Sequence, residues 1–109
     1  MSDAAAERDD AKRQFDHAMV HVYEAAGRET GYWATRFLQM VRRQGGLQAA
    51  RKLLANDKVS AGFLALRRAG RLDLTVEREI LRPKFAALFT DEEREVARAR
   101  LAQYGYRAP

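Results

Sequence analysis

The sequence contains no cysteine. That excludes disulfides and thiolate-held metal centres, and it suits a reducing, cytoplasmic setting. Proline occurs twice and glycine seven times, so little interrupts helix formation. Long alternations of Val, Ile and Thr are missing, which removes the pattern a sheet would need. No apolar run approaches the roughly 20 residues that a membrane-spanning helix requires. The first ten residues are Ala-rich and acidic, without the basic start and apolar stretch of a secretory signal. A flexible tail over 1–8, followed by one helical domain over 9–106, is expected. The chain is 109 residues long, enough for one domain that folds on its own core.

Acidic side chains are nearly missing from the middle of the chain. Residues 1–30 carry four basic and seven acidic groups, and residues 72–109 carry seven of each. Between 31 and 71 stand nine bases and one acid, Asp57. The whole net charge of +5 therefore originates in the middle third. A one-sign block of this kind suits a polyanionic partner. Its commonest alternative is a solvated face that balances the acidic N-terminal helix. Against that, nine bases with a single acid leave little material for local i,i+4 pairs. Seven of the nine are arginines, whose planar forks match phosphate oxygens.

The residues that are present spell helices. Ala11, Phe15, Ala18, Met19, Val22 and Ala26 recur at three- and four-residue steps, which predicts a helix over about 9–26 ending at Gly27. A second helix is expected over 31–44, capped by Thr30, with Trp33, Ala34, Phe37, Met40 and Val41 as its buried stripe. Gly45-Gly46 then breaks the chain. A third helix, about 47–55, turns Leu47, Ala50 and Leu54 inward. Ser60 caps a fourth over 61–69 that buries Phe63 and Leu66. Thr75 caps a short fifth helix, which must end before Pro83. Phe85, Leu88 and Phe89 are expected in the core, in a short helical turn. Thr90 and Glu93 form a T-x-x-E capping box at the start of a sixth helix, which Gly105 ends. The fold class is all-α, a compact bundle of about six short helices.

The string Glu29-Thr30-Gly31-Tyr32-Trp33-Ala34-Thr35-Arg36-Phe37-Leu38-Gln39-Met40-Val41, with the Gly45-Gly46 break and Ala49-Ala50-Arg51-Lys52-Leu53-Leu54, resembles an uncharacterised small bacterial all-helical module. So do Gly70 to Glu77 and the end from Leu88 to Tyr106. The resemblance covers most of the chain from about Val20. It implies a module found alone or attached to larger proteins, and it carries no activity, cofactor or site residues. A weaker resemblance, to helix-turn-helix units, rests on Gly45-Gly46, Ala49-Ala50, Leu53-Leu54, the polar turn and the helix after it. A base-reading helix presents Arg, Asn, Gln or Ser near its start, whereas 61–69 offers mostly Ala, Gly, Phe and Leu.

Other chemistry finds little material. His17 and His21, four apart with Glu24 one turn on, have the spacing of a zinc clip. They lie opposite the Phe15–Met19–Val22 stripe and lack a third shielded ligand, so they are read as exposed polar side chains. Asp73, Glu77 and Glu79 are acids near a helix start, where the dipole favours them. Ser60 is explained as a cap, and neither histidine has a triad partner. No catalytic residue, metal or cofactor is assigned, and the chain is not expected to be an enzyme. The expected function is nucleic-acid binding, DNA first, through phosphate contacts made by Tyr32, Arg36, Gln39, Arg42, Arg43, Arg51, Lys52, Lys58, Arg67 and Arg68. The alternative is an adaptor that docks an acidic protein.

Overall fold

A computed structural model describes residues 3–107 and contains, among those residues, six α-helices, two 3-10 segments and no strand. The helices are α1 (Asp3–Thr30), α2 (Thr35–Gln44), α3 (Gly46–Ala55), α4 (Ala61–Arg68), α5 (Val76–Ile80) and α6 (Asp91–Gln103). The 3-10 segments cover Leu72–Leu74 and Pro83–Leu88. The all-α expectation holds, and most boundaries fall where the caps put them. Ser60 Oγ accepts from the Phe63 N–H at 3.0 Å, and Thr75 Oγ1 accepts from the Arg78 N–H at 3.2 Å. The Thr90–Glu93 box is complete: the Thr90 N–H donates to Glu93 Oε1, and the Glu93 N–H donates to Thr90 Oγ1.

The core forms where α1 meets α3, α5 and the 83–88 segment. Phe15, Met19 and Val22 supply the α1 stripe, and all three are buried. Phe15 meets Phe85 and Phe89 edge-on, with ring centroids 5.0 and 5.2 Å apart. Such contacts add about 0.5–1.5 kcal/mol each beyond the area they bury. Leu47, Ala50 and Leu54 from α3, Phe63 and Leu66 from α4, and Phe85, Leu88 and Phe89 are buried as their spacing predicts.

The first two helices depart from expectation. α1 does not stop at Gly27 but runs on to Thr30, and it already includes residues 3–8, where a tail is expected. Arg8 fastens that start by donating to the Ala87 carbonyl at 2.7 Å. Gly31, at φ 81°, is the residue that ends α1. Thr30 caps no second helix: its hydroxyl donates back to the Ala26 carbonyl and accepts from the Tyr32 N–H. Residues 31–34 are a connector, and α2 begins only at Thr35.

Gly27 is instead a helix-interior residue with the Trp33 ring against it. A Cβ there would lie 2.1 Å from that ring. The apolar stripe of α2 also shifts, because Leu38 and Val41 are buried while Phe37 and Met40 are half-buried. Trp33, expected in the core, is 49 % exposed. The break between α2 and α3 needs only Gly45, at φ 89°. Gly46 is already helical, and its N–H donates to Asp16 Oδ1 on α1 at 2.6 Å. A Cβ on Gly46 would come within 3.2 Å of the Asp16 Cα, so the second glycine permits close packing rather than a turn.

Candidate functional site

Two features stand out from the packed core: a set of bases without carboxylate partners among the described residues, and an aromatic-rimmed cavity beside them. The bases come first because the sequence points to them. Of the nine between residues 31 and 71, two are taken up inside the fold. Arg51 donates from Nε to Glu93 Oε2 at 2.9 Å and from Nη2 to the Leu88 carbonyl at 3.0 Å. It therefore ties α3 to the start of α6, and it leaves the expected binding face. Arg71 pairs with both Glu29 and Asp73, which joins the end of α1 to the 72–74 segment. The Arg71 guanidinium holds the Asp73 carboxyl below its ordinary range, and the two acids raise Arg71 in turn.

Seven bases remain. Arg36, Arg42 and Arg43 lie on α2, with Gln39 between them, and all four are exposed. Lys52 on α3, Lys58 in the following turn and Arg68 at the end of α4 are exposed as well. None of these six bases has a carboxylate partner among the described residues. Arg67 is also exposed, but its guanidinium carbon sits 4.6 Å over the centre of the Tyr104 ring. Tyr104 in turn packs on Phe63, at 5.4 Å between centroids. Arg67 is thus held against the fold by an aromatic face, an attraction worth about 0.5–1 kcal/mol at exposed sites.

Tyr32 does not join the basic surface. It is half-buried against Gly62, whose absent Cβ would stand 3.3 Å from its ring. There it helps to enclose a cavity of about 430 Å³ between α1, α2, α4 and α5. Tyr23, Trp33 and Phe37 complete an aromatic rim, with Tyr23 and Trp33 tilted together at 5.4 Å. The remaining wall is mainly apolar, and Arg36 is among its lining residues, so the cavity adjoins α2's basic side chains.

One carboxylate belongs to this cavity. Glu77 is only 2 % exposed, and its Oε2 has no hydrogen-bond partner among the described residues. Burial pushes its carboxyl up from the ordinary value, while Arg100 acts in the opposite direction. Arg100 Nη1 lies 3.6 Å from Oε2, near enough for charge but beyond a hydrogen bond. Three of its five N–H groups bond the carbonyls of Leu53, Leu54 and Asn56 that end α3. The three acids read together in the sequence separate here: Asp73 faces Arg71, Glu79 faces Arg82, and Glu77 lines the cavity.

His17 and His21 are exposed on α1, and no group of three or more His, Asp or Glu side chains suited to a metal exists among the described residues. The cavity and Glu77 have no motif in the sequence. The only hint lies in two glycines, Gly27 and Gly62, at positions where no turn requires one. Compared with protein-family models, curated proteins and solved structures, the chain matches none. Among the described residues, no helix is long and apolar enough to cross a membrane.

Proposed function

We propose that the chain is a non-catalytic binding module for nucleic acid, with DNA as the first expectation, acting in a bacterial cytoplasm through phosphate contacts. The observation that supports this reading is the set Arg36, Arg42 and Arg43. Three exposed arginines stand on one ten-residue helix without a carboxylate partner among the described residues. Leaving such charges unpaired opposes folding slightly through mutual repulsion, and an anionic ligand relieves it. Lys52, Lys58, Arg67 and Arg68 extend the charge onto α3, the turn after it and α4.

In a helix-turn-helix-like arrangement α4 would be the reading helix. It offers Ala, Gly and Leu toward solvent, and its two arginines stand at its C-terminal end. That composition favours backbone contacts over base readout.

The test is affinity for duplex DNA across a salt series. Log affinity falls linearly with log salt, with about 0.9 of slope per phosphate contact. Replacing Arg42 and Arg43 by Glu lowers affinity for all sequences alike and flattens the slope by about 1.8. The melting temperature is unchanged, because neither side chain touches the core. Absence of binding by micromolar protein at about 0.1 M salt rejects the nucleic-acid reading. The same bases would then serve an adaptor that docks an acidic protein.

A further inference from the structure

We infer that the mouth of the cavity between α1, α2, α4 and α5 takes an unpaired nucleobase, stacked on Trp33, with its flanking phosphates on the exposed arginines of α2. This ligand class, single-stranded or locally unpaired nucleic acid, rests on the nucleic-acid reading above and narrows it.

Trp33 is the most exposed large apolar side chain among the described residues, at 49 %. Leaving that much indole in water is unfavourable, yet the ring is held rather than loose. A Cβ on Gly27 would lie 2.1–2.3 Å from three adjacent atoms of its six-membered ring, so α1 passes under one face of the indole. Tyr23 meets it from the side, tilted by 59° at 5.4 Å between centroids. Glycine inside a helix costs stability, and here the ring laid over Gly27 uses the missing Cβ. Trp33 lines the cavity and Gly27 does not, so the indole turns its remaining surface to the opening. A base stacks on a flat π-face of this kind, and a ring already fixed in place loses little entropy on binding.

The charge beside the ring selects a base over another flat or apolar occupant. Arg36 lines the same cavity as Trp33 and has no carboxylate partner among the described residues. Gln39 and Arg43 follow it at steps of three and four, so exposed polar side chains run along one face of α2 away from the cavity. An apolar molecule would leave these arginines unused, and a chain of carboxylates would leave the indole bare. A nucleotide strand supplies a flat base with a phosphate on either side of it. The cavity, about 430 Å³, leaves room for a base beside the ring, and its mouth lets the polar base edge stay in water. In a duplex the bases stack on one another, out of reach of a side-chain ring, so the strand that fits here is unpaired.

Three single strands with equal numbers of phosphates make the test: oligothymidylate, oligouridylate and an abasic strand, each titrated into the full chain. Trp33 is the single tryptophan, so stacking is read directly as quenching of its emission. At least one base-bearing strand should quench it and bind on the order of tenfold more tightly than the abasic strand. The ratio of the two base-bearing strands tells DNA from RNA. Trp33→Leu keeps an apolar side chain but removes the π-face. It should bring both strands down to the abasic level, as read by anisotropy of end-labelled strands, and leave the salt slope unchanged. Trp33→Tyr should keep much of the preference, a split that loss of folding would not produce. The comparison on the unchanged protein needs no variant, so it decides even where Trp33→Leu fails to fold. The stacking site is rejected if neither base-bearing strand binds better than the abasic one, if emission is unchanged, or if folded Trp33→Leu keeps the preference. Charge-driven binding by α2 would then still stand. Absence of binding by every strand and by duplex, with micromolar protein at about 0.1 M salt, rejects the nucleic-acid reading and the base site with it.

Discussion

The arginines of the two halves of the molecule are used differently. In the C-terminal part, Arg82 pairs with Glu79 and Arg98 with Glu95, Arg78 donates to the Tyr106 hydroxyl, and Arg100 closes the end of α3. On α2, Arg36, Arg42 and Arg43 have no such partner among the described residues. Equal numbers of acids and bases in 72–109 anticipate the first pattern, and the lone acid of 31–71 anticipates the second. The comparison teaches that a charge count sets only an upper limit on free charge. Arg51 and Arg71 leave the basic block because Glu93 and Glu29, each 42 residues away in sequence, come to meet them.

The sharpest way to test the contrast is to remove an arginine from each side. Arg100→Ala leaves three carbonyls at the end of α3 without their donor. A loss of about 3 kcal/mol or more is expected in urea denaturation, as for several buried acceptors left unpaired. Arg51→Ala, on a pair that is about one quarter to one third exposed, should cost only about 1 kcal/mol after screening by solvent. Arg42→Ala with Arg43→Ala should stay within about 0.5 kcal/mol. If the α2 pair proved as costly as Arg100, those side chains would be structural and the proposed face would be lost.

Acidity sharpens the same comparison from the carboxylate side. Glu77 has a raised value in the fold, mainly through burial. Its protonated form is the one the fold prefers, so its contribution is complete below the unfolded value and is lost as pH rises through the folded one. Asp73 runs the other way. Arg71 lowers it, so its stabilisation is present above the unfolded value and is lost as pH falls through the folded one. The melting temperature of Glu77→Gln relative to the unchanged protein should therefore rise as pH is raised above the unfolded carboxyl value of about 4. A difference that stays flat with pH would mean that Arg100 fully offsets the burial.

A smaller effect separates the rim from the core. Gly27→Ala gains about 1 kcal/mol of helix propensity but drives a methyl group into the Trp33 ring. The two contributions nearly cancel in stability. Trp33 emission should shift to the red as the ring leaves α1, and an unchanged emission would show that the glycine plays no part in seating it.

Much of the fold was legible because its signals are local. Ser60, Thr75 and Thr90 each cap a helix through their own following backbone N–H groups, three residues ahead. The stripes of α1 and α3 follow from helical spacing alone. The failures occur where two segments meet. Gly27 reads as a stop because glycine commonly ends helices, but here it is kept for the ring six residues later. Trp33 reads as core because it falls in step with Phe37. Yet the helix that would carry that periodicity begins only at Thr35, so the stripe never reaches residue 33.

The sequence by itself determined an all-helical chain, the caps at Ser60, Thr75 and Thr90, most of its buried apolar residues and a middle third with an excess of positive charge. These depend on contacts within one or two turns and on composition, which no later packing can reverse. The tertiary structure decided which of those charges remain free, that Arg100 serves the end of α3, and that Glu77 lies beside an aromatic-rimmed cavity. Each of these depends on groups that are far apart in sequence and meet only when helices pack. Neither helical period nor residue count carries that information.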